Sequence, residues 1–325
     1  MESWWFAALA IGVAAFSAAV TFAMMRRGPL DQPNDRKMHV RPVPKGGGLG
    51  TVLATLAVLA WQSRTDPALA ALAPGLLGGG ALIAAVAFLD DLRDWPFTVK
   101  LAAQAAAAAL VAGSGVWVHE IGPIALGAAG PVLTFGWILY VTNAVNFMDG
   151  VNGLAAGVCA IAGVALAIAV PGGAGLAGLL LAAGLAGFLP FNFPHARIFM
   201  GDVGSQFCGF VLAVLAIAAA RTAPDAVLVV PLALGVLLLD VAFTLVRRAR
   251  AGERVTEGHR GHLYQLAHRA GVPVPVVTGA VWAMSAWGAA CAALPAGIAV
   301  PLALAPPVVA GMWVLRRARQ KLMAW

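Results

Sequence analysis

Long apolar runs separated by short polar stretches set the pattern of this chain. Eleven such runs stand out: Trp4–Met25, Gly46–Trp61, Leu72–Leu89, Val99–Gly113, Pro131–Val145, Gly153–Val170, Ala174–Phe191, Ser205–Ala220, Ala226–Val246, Val276–Leu294 and Gly297–Leu315. Most approach the length that a helix needs to cross the hydrocarbon core of a bilayer. Glycine and proline punctuate the joints, as in Pro171-Gly172-Gly173. Helix is the expected state within each run, because in lipid only helices and closed barrels satisfy their own backbone, and barrel strands would be shorter and alternating. The pattern therefore predicts an all-α, polytopic integral membrane protein with about eleven transmembrane helices, forming one catalytic domain over residues 1–325. The first run has no basic residue before it and Arg26-Arg27 after it, the reverse of a cleaved signal peptide, so a retained helix is expected.

Composition agrees. Of 325 residues 61% are hydrophobic and only 11% charged, whereas a soluble domain is closer to half apolar and a quarter charged. The three cysteines, Cys159, Cys208 and Cys291, all fall in apolar runs without paired spacing and read as small buried hydrophobes. The net charge of +7 is informative through its placement. With the N-terminus outside and the runs alternating across the membrane, 19 of the 21 basic residues fall in cytoplasmic segments, and only Arg64 and Arg221 lie outside. That asymmetry is the positive-inside pattern, and it places the C-terminus in the cytoplasm. The basic excess thus reports topology and affinity for an anionic substrate, with no nucleic acid implied. Ten of the fourteen acids fall on the same side, so the chemistry is expected on the inner face of a bacterial cytoplasmic membrane, in loops near 26–45, 90–98, 146–152, 192–204 and 247–275.

Five polar constellations lie on that face. The first loop carries Asp35, Arg36, Lys37, His39, Arg41 and Lys45 before Gly46-Gly47-Gly48. Basic groups followed by glycines at a helix start suit an anion, since backbone N–H groups can approach it closely; a topogenic loop with a glycine hinge is the plain alternative. Asp90 and Asp91 close the third run, with Asp94 a turn further. Adjacent carboxylates at a membrane edge call for a cation such as Mg²⁺ or for a shared proton, one acid then serving as base, unless they simply form a solvated helix end. Asn143, Asn146 and Asp149 recur at a spacing of three, which on a helix puts them near one face. Next come Asn192, Arg197 and the stretch Phe199-Met200-Gly201-Asp202-Val203-Gly204-Ser205. Its lone carboxylate between two apolar runs is costly and marks a functional site. Phe199 is either packing or a face for a stacked base. Asp240, inside an apolar run about two turns before Arg247, is either a functional acid or a snorkelling one paired with a local arginine. The last loop holds His259, Arg260, His262 and His268. Two histidines three apart suit Zn²⁺ poorly without a third clear ligand. They suit a pyrophosphate better, or are ordinary loop residues.

In this order the motifs closely resemble the polyprenyl-phosphate N-acetylaminosugar-1-phosphate transferases. The resemblance is carried by Asn143-x-x-Asn146-x-x-Asp149-Gly150-x-x-Gly153-Leu154-Ala155, by Asn192-x-Pro194-x-Ala196-x-x-Phe199-Met200-Gly201-Asp202-x-Gly204-Ser205, by Asp90-Asp91 and by the His-x-x-His loop. It implies transfer of an N-acetylaminosugar 1-phosphate from a UDP-sugar to undecaprenyl phosphate within the lipid bilayer, releasing UMP. It implies Mg²⁺ as cofactor, with Mn²⁺ as substitute, and admits a homodimer. Carried over position by position, it makes Asp202 the metal ligand. Asp90 and Asp91 become catalytic groups near the lipid phosphate, one of them its base; Asn146 and Asp149 become nucleotide-side groups, Asp149 also catalytic; Asn143 and Asn192 become further substrate-binding groups. Phe199 becomes the uracil face, His259, Arg260 and His262 contacts to pyrophosphate or sugar, and Lys45 and Arg41 phosphate contacts.

Two departures refine this. Asn152 stands where many members have Asp, so it receives no catalytic role. The loop reads His-Arg-Gly-His-Leu-Tyr-Gln rather than a histidine triplet. With eleven helices rather than ten, this favours an enzyme that initiates a surface polysaccharide over the phospho-muramoyl-pentapeptide translocase. The reading from another class is a secondary transporter using Asp240 and Asp149, against which stand the one-sided acids and the lack of a repeat.

Overall fold

The computed structural model describes residues 3–33, 41–93, 95–121, 124–222 and 226–322. Asp35, Arg36, Lys37, His39 and Asp94, named above, lie outside the described residues. Each apolar run is helical. The helices are α1 (Ser3–Arg27), α2 (Leu49–Gln62), α3 (Pro67–Arg93), α4 (Phe97–Gly113), α5 (Ala129–Phe147), α6 (Leu154–Ala169), α7 (Gly173–Asn192), α8 (Gly201–Thr222), α9 (Val229–Ala233), α10 (Gly235–Arg250), α11 (Leu263–Arg269), α12 (Val274–Cys291) and α13 (Ala296–Lys321). Six are long and apolar enough to cross a membrane: α1, α3, α7, α8, α12 and α13. The protein is thus a mostly helical, multi-pass membrane protein. Two short antiparallel pairs lie in loops, β1 (Leu30–Asp31) with β2 (Val43–Pro44) and β3 (Glu120–Ile121) with β4 (Ile124–Ala125).

One expected helix is broken. The run Ala226–Val246 divides at Leu234 into α9 and α10. Pro231, which has no N–H to donate, and Gly235, a poor helix former, flank the break. The amphipathic seven-residue α11 is an addition that the apolar pattern did not contain.

The core sits around α8, whose residues from Val203 to Ala219 are almost wholly buried. It packs against α2, α3, α5, α6, α7 and α9. By contrast α1 and α13 present Trp4, Ile11, Trp313 and Val309 outward, as lipid-facing helices should. The three cysteines are free and buried.

Close packing depends on missing side chains. Where α6 crosses α7, a Cβ on Gly178 would stand 2.7 Å from the Gly163 carbonyl oxygen, and a Cβ on Gly163 would stand 2.5 Å from the Gly178 oxygen. Small residues at a crossing let two backbones touch, which in lipid replaces the missing hydrophobic drive. Gly178→Val should therefore lower stability by about 1–3 kcal/mol. Gly78→Ala, at a position open to surroundings on α3, should raise it by up to about 1 kcal/mol. Denaturant unfolding in detergent, followed by near-ultraviolet circular dichroism, measures both.

Candidate active site

Helix α8 begins at Gly201, and its first turn organises one end of the bundle. Gly201 has φ +77°, and a Cβ there would lie 2.6 Å from Asp91 Oδ2. Both facts require glycine. The first N–H groups of a helix have no partner inside it. Here the backbone N–H of Val203 donates to Asp91 Oδ2 at 3.2 Å, and that of Asp202 reaches Asp91 Oδ1 at a long 3.4 Å. Asp91, in the last turn of α3, thus caps α8 across the bundle. Lys45 Nζ stands 3.6 Å from the same carboxylate.

Asp90 points to the other side. Its Oδ1 accepts the Trp95 N–H at 2.7 Å and its Oδ2 the Lys100 ammonium at 2.8 Å. The same ammonium reaches Asp202 Oδ2 at 2.9 Å, so one cation bridges two carboxylates from α3 and α8. Asp202 accepts further bonds from Asn146 Nδ2 at 3.0 Å and Gln206 Nε2 at 3.1 Å. Asn146 also donates to Ser205 Oγ at 2.9 Å. Behind Asp202 a ladder of amides runs into the core. Gln104 donates to Gln206 Oε1 at 2.9 Å and accepts from Asn143 Nδ2 at 2.6 Å. Gln104 and Gln206 are buried and satisfied, as buried amides must be.

Asp149 differs from its neighbours. Helix α5 ends at Phe147, so Asn143 and Asn146 share the helix while Asp149 sits in the turn after it. Among the described residues its carboxyl has no hydrogen-bond partner. Burial raises its pKa well above the usual carboxylate range, and the negative Asp202 and Asp91 raise it further. A carboxyl in that position takes up a proton or a cation.

A second group lies on α10 and the loop to α11. His259 and His262 stack with ring centroids 4.8 Å apart. With Asn143, Phe147, Leu139, Tyr140, Val241 and Leu245 they line a cavity of about 390 Å³, roofed by residues 255–258. Asp240 does not pair with Arg247. Arg247 donates to the Gly261 carbonyl, while Asp240 binds His262 and the start of α11. Of the two readings of Asp240, the local acid–arginine pair is therefore not the one formed. Tyr264 links the groups: its hydroxyl donates to the Phe147 carbonyl, and it fills the space that a side chain on Gly150 would need.

Other expected groups have different work. The N–H groups of Gly47 and Gly48 donate to the carbonyls of Phe199 and Met200, both at 2.9 Å. They are not available to an anion; the glycines exist because the loop backbone packs directly on Gly204 and Phe188. Phe199 is held by its backbone, its N–H donating to Pro44 O at 2.8 Å. Asn192 spends its amide on Gly153 N–H and Ile198 O, which makes it a clamp between two loops rather than an open contact. Asn152 donates to Pro194 O. Arg41 is exposed and Arg260 half-buried. Lys100, Gln104 and Gln206 were not singled out by sequence. Lys100 and Gln104, one turn apart in an alanine-rich helix, were the available signal.

Comparison with known proteins bears on the arrangement. Residues 73–220, which hold the carboxylate cluster, match the model of glycosyl transferase family 4. The chain is 31% identical to a probable undecaprenyl-phosphate N-acetylglucosaminyl 1-phosphate transferase of Bacillus subtilis, over 80% of this chain and 76% of that protein. The chain belongs to the polyprenyl-phosphate N-acetylaminosugar-1-phosphate transferases. It is 32% identical to the decaprenyl-phosphate N-acetylglucosaminephosphotransferase of Mycobacterium leprae, over 71% and 68% of the two chains. An undecaprenyl-phosphate alpha-N-acetylglucosaminyl 1-phosphate transferase of Thermotoga maritima is 32% identical over 56% and 54%. As a member of the family, the protein is a sugar-phosphate transferase.

His259 supplies a test of this geometry. Burial, then the neighbouring His262, Arg248 and Arg247, push its pKa down to about 4. Below pH 6.5 the unfolded chain then binds a proton that the folded chain refuses. Stability should fall as pH drops from 6.5 to about 4, and His259→Gln should flatten that slope. Thermal unfolding midpoints across pH 4–8 give the comparison.

Proposed function

We propose that the protein transfers N-acetylglucosamine 1-phosphate from UDP-N-acetylglucosamine to undecaprenyl phosphate, initiating a surface polysaccharide. The observation that carries this is the convergence of Asp90, Asp91, Asp149 and Asp202 with Lys45 and Lys100 at one end of an apolar bundle. The names of the relatives support the reading: all carry N-acetylglucosamine, two with undecaprenyl phosphate and one with decaprenyl phosphate. The distribution of the basic residues supports a cytoplasmic position for that end, eleven crossings of the inner membrane and an N-terminus outside.

In the reaction a phosphate oxygen of the lipid attacks the sugar-bearing phosphorus of the donor. One P–O bond forms as the bond to UMP breaks. One pyrophosphate replaces another, so no ATP is needed. The lipid phosphate is already a nucleophile, and direct attack suffices.

The residues fit Mg²⁺. Among the described residues no three acidic, histidine or cysteine side chains form a closed metal cage. Mg²⁺ asks for less, taking one or two carboxylates and completing its shell from water and substrate phosphates. Positive charge is already favoured between Asp90 and Asp202, where the Lys100 ammonium sits, and the Asp149 carboxyl is open. Asp202 and Asp149 would hold the ion, which when bound neutralises the diphosphate. Lys100 fixes Asp90 and Asp202 relative to each other. Asp91 fixes the turn that presents Asp202. Lys45 attracts the lipid phosphate, and Asn146 orients Asp202. The cavity, with apolar walls from Leu139, Val241 and Leu245 and a polar rim at His259, suits a ligand with an apolar body and a polar head.

Purified protein with Mg²⁺, undecaprenyl phosphate and UDP-N-acetylglucosamine should release UMP; no release from this or any other UDP-sugar by folded protein would overturn the reading. Asp202→Asn should cut kcat by about 10²–10³-fold, the scale of losing a main electrostatic contact to a transition state. Near-normal turnover would remove Asp202 as the metal ligand.

A further inference from the structure

Asp240 is buried, 4% exposed, and every polar group around it donates. Its Oδ1 accepts the Leu263 N–H at 2.9 Å and the Thr244 hydroxyl at 3.1 Å; its Oδ2 accepts the Tyr264 N–H at 3.2 Å. A carboxyl so surrounded acts as an acceptor at both oxygens. His262 Nδ1 lies 3.1 Å from the same Oδ1. A nitrogen lone pair facing an acceptor oxygen at that distance would be repelled, so Nδ1 carries the hydrogen. The Gln265 N–H also approaches the His262 ring in capping-box fashion, but without a side-chain capping hydrogen bond. Only the reciprocal bond, His262 N–H to Gln265 Oε1 at 3.2 Å, is made.

His259 shows the opposite arrangement. The Gly261 backbone N–H donates to its Nδ1 at 3.1 Å. Its Nδ1 is therefore an acceptor, and the hydrogen of the neutral ring sits on Nε2. The low pKa of His259 agrees with a neutral ring. The two rings are stacked and line one cavity. Among the described residues neither Nε2 has a hydrogen-bond partner.

We propose that Asp240 is a positioning residue that locks His262 as the Nδ1–H tautomer, so that the stacked pair presents one acceptor, His262 Nε2, and one donor, His259 Nε2–H, to the cavity. Such a pair matches a group that both donates and accepts. The hydroxyl and amide groups of a UDP-sugar do so, whereas its diphosphate offers acceptors only. The pair is thereby assigned to a hydroxyl- or amide-bearing part of the donor rather than to its diphosphate. That assignment rests on the transferase reading; the tautomers do not.

The experiment uses full-length protein labelled with ¹⁵N-histidine in detergent, with His259→Gln and His262→Gln used to assign the two rings. Imidazole ¹⁵N shifts and couplings report which nitrogen is protonated. At neutral pH the expected result is Nδ1–H for His262 and Nε2–H for His259. An Nε2–H tautomer or a doubly protonated ring at His262 overturns the proposal. In Asp240→Ala the acceptor that holds the Nδ1–H is gone, so the His262 tautomer should move to Nε2–H. With UDP-N-acetylglucosamine, kcat/KM should fall about 10²-fold, as for a misplaced proton acceptor. An unchanged His262 spectrum in that variant also overturns the proposal. If the variant does not fold, the wild-type spectrum decides alone. If the tautomers are as stated but no UDP-sugar supports turnover, the transferase reading fails and the positioning role stands.

Discussion

A helix buried along nearly its whole length must still satisfy the N–H groups of its first turn. Helix α8 meets that demand with a carboxylate from another helix. Asp91 accepts from the start of α8, and because α3 and α8 pack closely along their lengths, the cap fixes where α8 begins. Everything at that end follows from this join. Gly201 must be glycine to let Asp91 in. Asp202, one residue later, is then aimed at Lys100 and Asn146. Hydrogen bonds to charged groups contribute about 1.5–3 kcal/mol each, and leaving such a group buried without a partner costs as much or more. The carboxylates therefore hold one another's surroundings in place through the lysines and amides between them.

The two adjacent acids of α3 have been given different work by their surroundings. Asp90 faces the Lys100 ammonium and the Trp95 N–H; Asp91 faces a helix start. Neither has an idle oxygen, whereas Asp149 does. The carboxyl most open to an arriving proton or cation is thus the one in a turn, outside the helices that fix the others. This division suits phosphoryl transfer, where catalysis consists mainly of positioning and of charge stabilisation.

Much of this was legible in the sequence, for physical reasons. Apolar runs of membrane length have few alternatives to helix, so ten of the eleven runs became one helix each and the other became two, and Pro171-Gly172-Gly173 marked a real joint between α6 and α7. Asp202 was conspicuous because a charge beside apolar runs is costly. What was not legible depended on contacts across the chain. Gly46-Gly47-Gly48 has the same composition whether it cradles an anion or lets two backbones touch. Only its pairing with Phe199 and Met200, some 150 positions away, decides for the second. Lys100 looked like a topological charge because its two partners come from different helices. For Asp240 the local partner on offer was Arg247, near it in sequence. The loop instead returns His262 to it from 22 positions on.

The break between α9 and α10 gives that last contact its reason. A straight helix over Ala226–Val246 would carry its polar groups into the apolar interior. Divided at Leu234, the run can end in the amphipathic α10, with Asp240, Thr244, Arg247 and Arg248 on neighbouring turns. Each of the three charged groups grips the following loop. Asp240 holds the start of α11, Arg247 the Gly261 carbonyl, and Arg248 the Glu253 carboxylate with the carbonyls of Arg254 and Glu257. A loop of some twelve residues held at so many points loses little further entropy when a ligand arrives. The histidines at its end are accordingly preorganised rather than recruited. The polar stripe of α10, costly at the edge of a membrane, is repaid by the rigidity it gives to the roof of the cavity.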